Sequence, residues 1–130
     1  MMGVRILIAD DERAIATSLE FLLRNDGYET EIARDGEEAL RAARTFRPAL
    51  IVLDLMLPRM SGLEVCRALR ADPLQSRIKI LMLTARGANT DLTRAEAAGV
   101  DYYQVKPFST QDLLVQVRRL LATEESLHAR

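Results

Sequence analysis

The chain has 130 residues, about the length of one domain, and its net charge of −1 gives no electrostatic reason to bind nucleic acid or an anionic membrane. The longest apolar stretches are of strand length, far short of the ~20 residues of a membrane helix, and the start lacks a signal-peptide pattern. The single cysteine, Cys66, excludes an internal disulfide and fits a reducing compartment. We therefore expect a cytoplasmic globular domain that binds neither membranes nor nucleic acid directly.

Strand-like and helix-like segments alternate five times along the chain. The strand-like segments are short and rich in apolar residues, and they cover residues 4–9, 28–33, 49–54, 78–83 and 101–105. The helix-like segments carry apolar residues at spacings of three and four, and they cover residues 13–26, 35–46, 61–71, 90–98 and 109–122. Asp35 with Glu38 and Ser61 with Glu64 have the spacing of capping boxes. Such alternation requires parallel strands with helices on both faces.

The polarity of the strands predicts their order in the sheet. The first and third strands are almost wholly apolar, as strands covered on both faces must be, whereas residues 28–31, Tyr-Glu-Thr-Glu, alternate in polarity like an edge strand. We therefore predict a flavodoxin-like α/β fold, a doubly wound five-stranded parallel sheet in the order 2-1-3-4-5. We assign residues 1–123 to one domain and residues 124–130 to a polar C-terminal tail.

Charged residues directly follow or end three of the predicted strands. Asp10 and Asp11 follow the first strand, Asp54 ends the third, and Lys106 follows the fifth. In the predicted strand order the switch point lies between the first and third strands, where sheets of this kind bind ligands at the carboxyl ends of their strands. Crowded carboxylates repel one another unless a cation lies among them, and hard oxygen ligands suit Mg²⁺. The sequence therefore predicts a Mg²⁺ site in this crevice.

These motifs, taken together, resemble the receiver domains of two-component response regulators, and the resemblance covers nearly the whole chain. The motifs that carry it are Asp10-Asp11, Asp54 with Pro58 four residues on, Ser61-Gly62, Thr84-Ala85, Tyr103 and Lys106-Pro107-Phe108. Each motif alone is weak, but the ordered set at these spacings is specific. The resemblance implies a phosphoacceptor signalling domain, not an enzyme, with at most self-catalysed phosphorylation and dephosphorylation.

The resemblance implies a role for each residue of the crevice. Asp54 is expected to accept a phosphoryl group from a histidine kinase or a phosphotransfer protein, with Mg²⁺ as the cofactor. Asp11 matches a direct metal ligand, Asp10 a ligand that acts partly through water, and Asp54 and the backbone carbonyl of Met56 the remaining protein ligands. Lys106 matches the lysine that pairs with the acceptor aspartate and then with a phosphoryl oxygen.

Two further residues match the conformational switch of the family. The hydroxyl of Thr84 is expected to move towards the phosphoryl group, and Tyr103 to swing inward behind it. The Lys106–Pro107 peptide bond is expected to be cis, because this bond usually is in the family. The response would shift the face formed by the fourth helix, fifth strand and fifth helix, and so change binding to a downstream protein or to an output domain missing from this chain.

Other interpretations remain open. A receiver-like domain that binds proteins without being phosphorylated is the main alternative. A flavodoxin-like FMN binder is excluded by charge, because it needs a Ser/Thr/Gly-rich phosphate loop where the acidic residues 10–12 would repel phosphate without a metal. A phosphatase with an aspartate nucleophile generally needs a carboxylate two residues further on, where Met56 stands. Taken singly, Thr84 also fits a loop hydroxyl and Tyr103 an ordinary strand aromatic.

The sequence leaves several properties unassigned. Gly87 favours a mobile fourth loop, and Arg59 and Arg86 are the neighbours expected to influence hydrolysis of the aspartyl phosphate. His128 lies in the polar tail without a partner and is not a phosphorylation candidate. The sequence does not identify the kinase or the downstream target, and it leaves open whether the chain forms a homodimer.

Overall fold

A computed structural model describes residues 3–85 and 89–129, without the side chains of residues 89–91 and 123–129. The strands within these residues are β1 (Arg5–Ala9), β2 (Glu29–Ala33), β3 (Leu50–Asp54), β4 (Lys79–Thr84) and β5 (Tyr102–Val105). The helices are α1 (Arg13–Asn25), α2 (Gly36–Phe46), α3 (Gly62–Ala71), α4 (Asn89–Ala98) and α5 (Thr110–Ala129). Apart from the end of α5, every boundary lies within about one residue of its prediction.

Helix α5 continues to Ala129, beyond the point near residue 123 where we expected a polar tail to begin. The segment 124–129 contains two glutamates, a leucine and an alanine, which are good helix formers, and it has neither Gly nor Pro to stop the helix. Polarity alone was therefore a poor signal for the end of this helix.

All five strands are parallel and lie in the order β2-β1-β3-β4-β5, which confirms the predicted topology. Strand β1 pairs with β2 on one side and with β3 on the other, so the order reverses between β1 and β3. Asp54 is in register with Leu83, and Thr84 with Val105. The carboxyl ends of the three strands β3, β4 and β5 therefore lie at one edge of the sheet.

The two faces of the sheet carry separate apolar cores. On one face, buried side chains of β1, β3 and β4 pack against α2, α3 and α4, with Val65, Leu69 and Ala95 among the helix residues. On the other face, the alternate strand residues pack against α1 and α5, including Leu23 and Val117. Each large aliphatic side chain buried in this way contributes roughly 1.5–3 kcal/mol. The central strands are buried on both faces, and this holds their carboxyl ends in fixed positions.

Gly62 allows helix α3 to begin directly against the end of β3. A Cβ atom on this residue would lie 2.5 Å from the carbonyl oxygen of Asp54, and the Gly62 amide donates to the carbonyl of Leu55 over 2.9 Å. Ser61 caps the helix, because its hydroxyl accepts a hydrogen bond from the amide of Glu64. This close contact fixes the chain that follows Asp54.

Among the described residues, none of the helices has the length and apolar character needed to cross a membrane.

Candidate functional site

Three buried polar side chains meet at the carboxyl edge of the sheet. Asp10 directly follows β1, Asp54 ends β3 and Thr84 ends β4, and they are 1%, 4% and 3% exposed. The backbone amide of Asp10 donates to the carbonyl of Ala33 over 3.0 Å, which extends the pairing of β1 with β2 by one residue. The sheet itself therefore brings these side chains together, as the strand order predicts.

The ammonium group of Lys106 lies among three carboxylates. Its Nζ is 3.2 Å from Glu12 Oε1 and 3.6 Å from both Asp10 Oδ2 and Asp54 Oδ2. The backbone amide of Lys106 donates to the carbonyl of Thr84, which anchors the residue just beyond the end of β5. The Lys106–Pro107 peptide bond is cis. One cation therefore faces three anionic groups, and the cluster has an excess of negative charge.

The two buried carboxylates use only one oxygen each in hydrogen bonds to the backbone. Asp10 Oδ1 accepts from the amide of Glu12 at 2.9 Å, and Asp54 Oδ1 accepts from the amide of Met56 at 3.1 Å. Among the described residues, Asp10 Oδ2 is a buried oxygen without any hydrogen-bond partner. A buried carboxylate oxygen without a donor is costly unless a cation or a proton satisfies it.

The pKa values of the site reflect this crowding. Burial raises the pKa of Asp10 to about 6, and the nearby charge of Asp54 acts in the same direction, against the opposing effect of the Glu12 amide. Burial lowers the pKa of Lys106, but the carboxylates of Asp54, Asp10 and Glu12 outweigh it, and the net shift is upward. The lysine therefore stays charged at neutral pH, whereas Asp10 takes up a proton in mildly acidic solution.

The donor set fits a hard divalent cation. One carboxylate oxygen from each of Asp10, Glu12 and Asp54 can be chosen so that all three lie within 4.8 Å of one another. Asp10 Oδ2, which accepts no hydrogen bond and lies 3.6 Å from Lys106 Nζ, is one oxygen that a metal ion would satisfy. Carboxylate oxygens with room for water are the ligands that Mg²⁺ uses in proteins. The crevice thus has the chemistry of the predicted Mg²⁺ site, and the acidic cluster could hold the ion.

Only two of the four predicted metal ligands contribute a side chain to the cluster of carboxylates. Asp10 and Asp54 lie in the three-carboxylate cluster, whereas Asp11 is exposed and its carboxylate is not part of that cluster. The backbone of Met56 is fixed next to Asp54 by the bond from its amide, while its side chain is exposed. The ligand roles of all four residues remain predictions, and only those of Asp10 and Asp54 have the support of the cluster geometry.

Glu12 is the residue of the cluster to which our sequence reasoning gave no role. It is the N-cap residue of α1, but its side chain makes no capping hydrogen bond. The carboxylate of Asp10 instead accepts from the Glu12 amide, so Asp10 partly serves the helix start, as its position before a helix suggests. The available signal for Glu12 was the unbroken run of three acidic residues at the switch point.

The two predicted switch residues lie on neighbouring strands. Thr84 is buried at the end of β4, and Tyr103 is half-buried and packs against the core formed with α2, α3 and α4. Arg59, a predicted neighbour of the site, has a positive φ of 70° and lies 3.7 Å from the carboxylates of Asp35 and Glu37. Arg86, expected to influence hydrolysis, and Gly87, expected to favour a mobile loop, lie outside the described residues.

Comparison with known proteins agrees with this geometry. The family model for the response regulator receiver domain matches residues 6–118. The DNA-binding response regulator MtrA of Mycolicibacterium smegmatis is 44% identical over 95% of this chain and 53% of its own length. The alkaline phosphatase synthesis transcriptional regulatory protein PhoP of Bacillus subtilis is also 44% identical, over 95% of this chain and 51% of its own length. The chain thus spans about half the length of these curated relatives.

Solved structures show the same similarity. A CheY-like receiver domain protein from Methanospirillum hungatei superposes with a TM-score of 0.90 at 32% identity, over 95% of this chain and 98% of its own. The receiver domain of the sensor histidine kinase PA1611 from Pseudomonas aeruginosa superposes with a TM-score of 0.85 at 32% identity, over 92% of this chain and 98% of its own. That structure contains a magnesium ion coordinated in its active site cleft.

The chain belongs to the receiver domain family of two-component response regulators. It is a signalling domain of the phosphoacceptor class, and the acidic pocket of Asp10, Glu12 and Asp54 is compatible with the Mg²⁺ and phosphoaspartate site of that class.

Proposed function

We propose that the chain accepts a phosphoryl group on Asp54 from a histidine kinase or a phosphotransfer protein, in a step that requires Mg²⁺. The observation that carries this proposal is the setting of the Asp54 carboxylate. It is buried at the end of β3, and its Oδ2 lies 3.6 Å from the Lys106 ammonium, which is equally far from the Asp10 oxygen that accepts no hydrogen bond. The Asp54 carboxylate, the Lys106 ammonium and carboxylate oxygens that could hold a metal ion therefore adjoin one another.

In the proposed transfer, a carboxylate oxygen of Asp54 forms a bond to phosphorus while the bond from phosphorus to the donor histidine nitrogen breaks. The electron pair of the broken bond stays on that nitrogen. Because the other ring nitrogen carries a proton, neutral imidazole leaves. The product is an acyl phosphate on Asp54, and water later attacks its phosphorus and restores the carboxylate. Both reactions are self-catalysed by this site in our proposal.

Each residue of the crevice has a part in this reaction. Asp10, Asp11, Asp54 and the carbonyl of Met56 would hold the metal ion. Mg²⁺, when bound, would neutralise the carboxylates and the charge that develops on the transferred phosphoryl oxygens. Lys106, whose pKa is raised, keeps a full positive charge and can pair with a phosphoryl oxygen after the transfer.

The phosphoryl group would change partner binding through Thr84 and Tyr103. Thr84 adjoins the crevice, and Tyr103 is in register with Met82 on the strand that Thr84 ends. A new hydrogen bond to the phosphoryl group would bias the packing of Tyr103 and the face formed by α4, β5 and α5. We propose that a downstream protein or an output domain reads this face, and that the signalling takes place in the cytoplasm.

The test of this proposal is the intact mass of the protein after incubation with acetyl phosphate, with and without Mg²⁺. We expect one added phosphoryl group that requires Mg²⁺ and is lost in Asp54→Ala. The matched control is Asp112→Ala, which removes an exposed carboxylate in the first turn of α5. Labelling of Asp54→Ala would refute the assignment of the acceptor. No labelling of any variant would favour a receiver-like module that binds proteins without phosphorylation.

A further inference from the structure

Glu12 makes the closest contact with the Lys106 ammonium, although the proposed reaction gives Glu12 no part. Its Oε1 lies 3.2 Å from Nζ, whereas the carboxylates of Asp10 and Asp54 are each 3.6 Å away. Only the contact with Glu12 is short enough to be a hydrogen bond. Within the part of the chain that the structure describes, this is the one hydrogen bond that the ammonium donates.

The side chain of Glu12 is available for this contact because helix α1 does not use it. Glu12 is the N-cap residue in an extended conformation, with φ −81° and ψ 107°, and its carboxylate caps no backbone amide. The side chain is 59% exposed, while that of Lys106 is only 14% exposed. An exposed carboxylate thus reaches over the site and holds a largely buried cation.

We propose that Glu12 is a positioning residue that holds the Lys106 ammonium in the unphosphorylated protein and releases it when Asp54 carries a phosphoryl group. This inference rests on the proposed function of Asp54. The charge-assisted bonds of a phosphoryl group are strong, whereas an ion pair with an exposed carboxylate is weak. The lysine therefore exchanges one partner for the other, and Glu12 sets how readily it does so.

The expected effect is modest because the pair is exposed on the side of Glu12. Exposed ion pairs of this kind change an equilibrium by about two- to fivefold. Removing the charge of Glu12 should therefore tighten binding of a phosphoryl mimic by about that factor. A general loss of negative charge near an anion would act in the same direction, so the experiment must separate the two causes.

A double-mutant cycle separates them, with beryllofluoride as the phosphoryl mimic and Mg²⁺ at saturation for every variant. We expect Glu12→Gln to tighten binding in the presence of Lys106 and to have no effect in the Lys106→Met background. Glu37→Gln is the matched control, because its side chain is 56% exposed and contacts Arg59 instead. Equal tightening by Glu12→Gln in both backgrounds, or none in either, would overturn the proposal.

A second measurement does not require the Lys106→Met variant to bind beryllofluoride. The chain has two lysines, Lys79 and Lys106, so ¹³Cε labelling of lysine gives two NMR signals. We expect Glu12→Gln to shift the Lys106 signal in the unphosphorylated protein but to leave its position in the mimic-bound protein unchanged. An unaltered signal in the unphosphorylated variant would overturn the proposal. Failure of the wild-type protein to bind the mimic would instead count against the function proposed for Asp54.

Discussion

Two cations lie at opposite ends of the sheet and are held in very different ways. Arg70, near the amino ends of β4 and β5, donates four hydrogen bonds of 2.6–2.9 Å, three to backbone carbonyls and one to the carboxylate of Asp101. Lys106, at the carboxyl end of β5, donates one hydrogen bond to an exposed carboxylate and otherwise makes ion pairs of 3.6 Å. A cation held by several hydrogen bonds to the backbone fixes the structure around it, whereas a loosely held one can change partners.

The partners of Arg70 explain why its position is fixed. The guanidinium joins the end of α3 to the carbonyl of Gly99 and to the carbonyl of Ile78 just before β4. Asp101 also accepts a hydrogen bond from the amide of Ile80, so one carboxylate connects the arginine to the sheet. These bonds link segments about thirty residues apart in sequence. We therefore expect the Arg70 side chain to keep the same partners whether or not Asp54 is phosphorylated.

The largest expected effect comes from the loosely held cation. Lys106→Ala should allow phosphoryl acceptance but abolish the conformational response, because no ammonium is left to bind the phosphoryl group. The measurement is the change in NMR peaks around Tyr103 when Mg²⁺ and beryllofluoride are added. A response of normal size in this variant would show that the switch operates without the lysine.

Loss of the other cation should affect stability instead. Arg70→Met should lower the free energy of unfolding by about 2–4 kcal/mol, because three carbonyls lose their arginine donor and Asp101 keeps only the bond from the amide of Ile80. Phosphoryl acceptance by the folded protein should be unchanged. Urea denaturation measures the first effect and acetyl phosphate labelling the second.

Arg118→Met is the matched control for Arg70→Met. Arg118, like Arg70, donates to a carboxylate. Two of its nitrogens lie 2.6 and 3.1 Å from the carboxylate oxygens of Asp26, but its side chain is 56% exposed. Its loss should be hard to detect by denaturation, because solvent screens exposed pairs. Similar losses of stability for Arg70→Met and Arg118→Met would contradict the structural role of Arg70.

The crowded end of the sheet should become more stable when a charge is removed. The pKa of Asp10 is raised to about 6, so the native state binds this proton more tightly than the unfolded chain does. The ionised carboxylate therefore destabilises the fold at pH 7, and the penalty disappears as the pH falls through about 6 towards the ordinary value of 3.8. Without Mg²⁺, Asp10→Asn should raise the free energy of unfolding at pH 7 by about 1–2 kcal/mol. A loss of stability in this variant would contradict the account of the site.

The last expected effect concerns the affinity for Mg²⁺. Because Asp10 must lose its proton to bind a metal ion, and its pKa is about 6, the affinity should fall about tenfold between pH 7 and pH 5. Calorimetric titration with Mg²⁺ at the two pH values measures this change. Asp10→Asn should bind Mg²⁺ more weakly and show a smaller pH dependence. An affinity independent of pH in the wild-type protein would exclude Asp10 as the titrating group.

Much of the fold followed from short-range patterns in the sequence. Apolar runs, helical spacing and capping residues located nearly every element, and the polarity of residues 28–31 placed β2 at an edge. The same reasoning placed Asp10, Asp54 and Lys106 in one crevice, because parallel strands end at one edge of the sheet. The prediction succeeded where a local pattern determines the structure.

The remaining features depend on contacts that a sequence pattern does not encode. The contact of Glu12 with Lys106 joins residues 94 positions apart and depends on where the start of α1 lies relative to β5. The bonds of Arg70 likewise exist only once α3 and the segments before β4 and β5 are packed together. Such contacts need the positions of whole elements, which local spacing does not supply.

The central claim is that the Lys106 end of the sheet responds to the phosphoryl group and that the Arg70 end does not. Its most direct test compares ¹H–¹⁵N NMR spectra, including the Nε–H signal of Arg70, before and after addition of Mg²⁺ and beryllofluoride. We predict shifts at Thr84, Tyr103 and Lys106 and an unchanged Arg70 Nε–H signal. Shifts of equal size at both ends, or no shift at Lys106 in the mimic-bound protein, would contradict the claim.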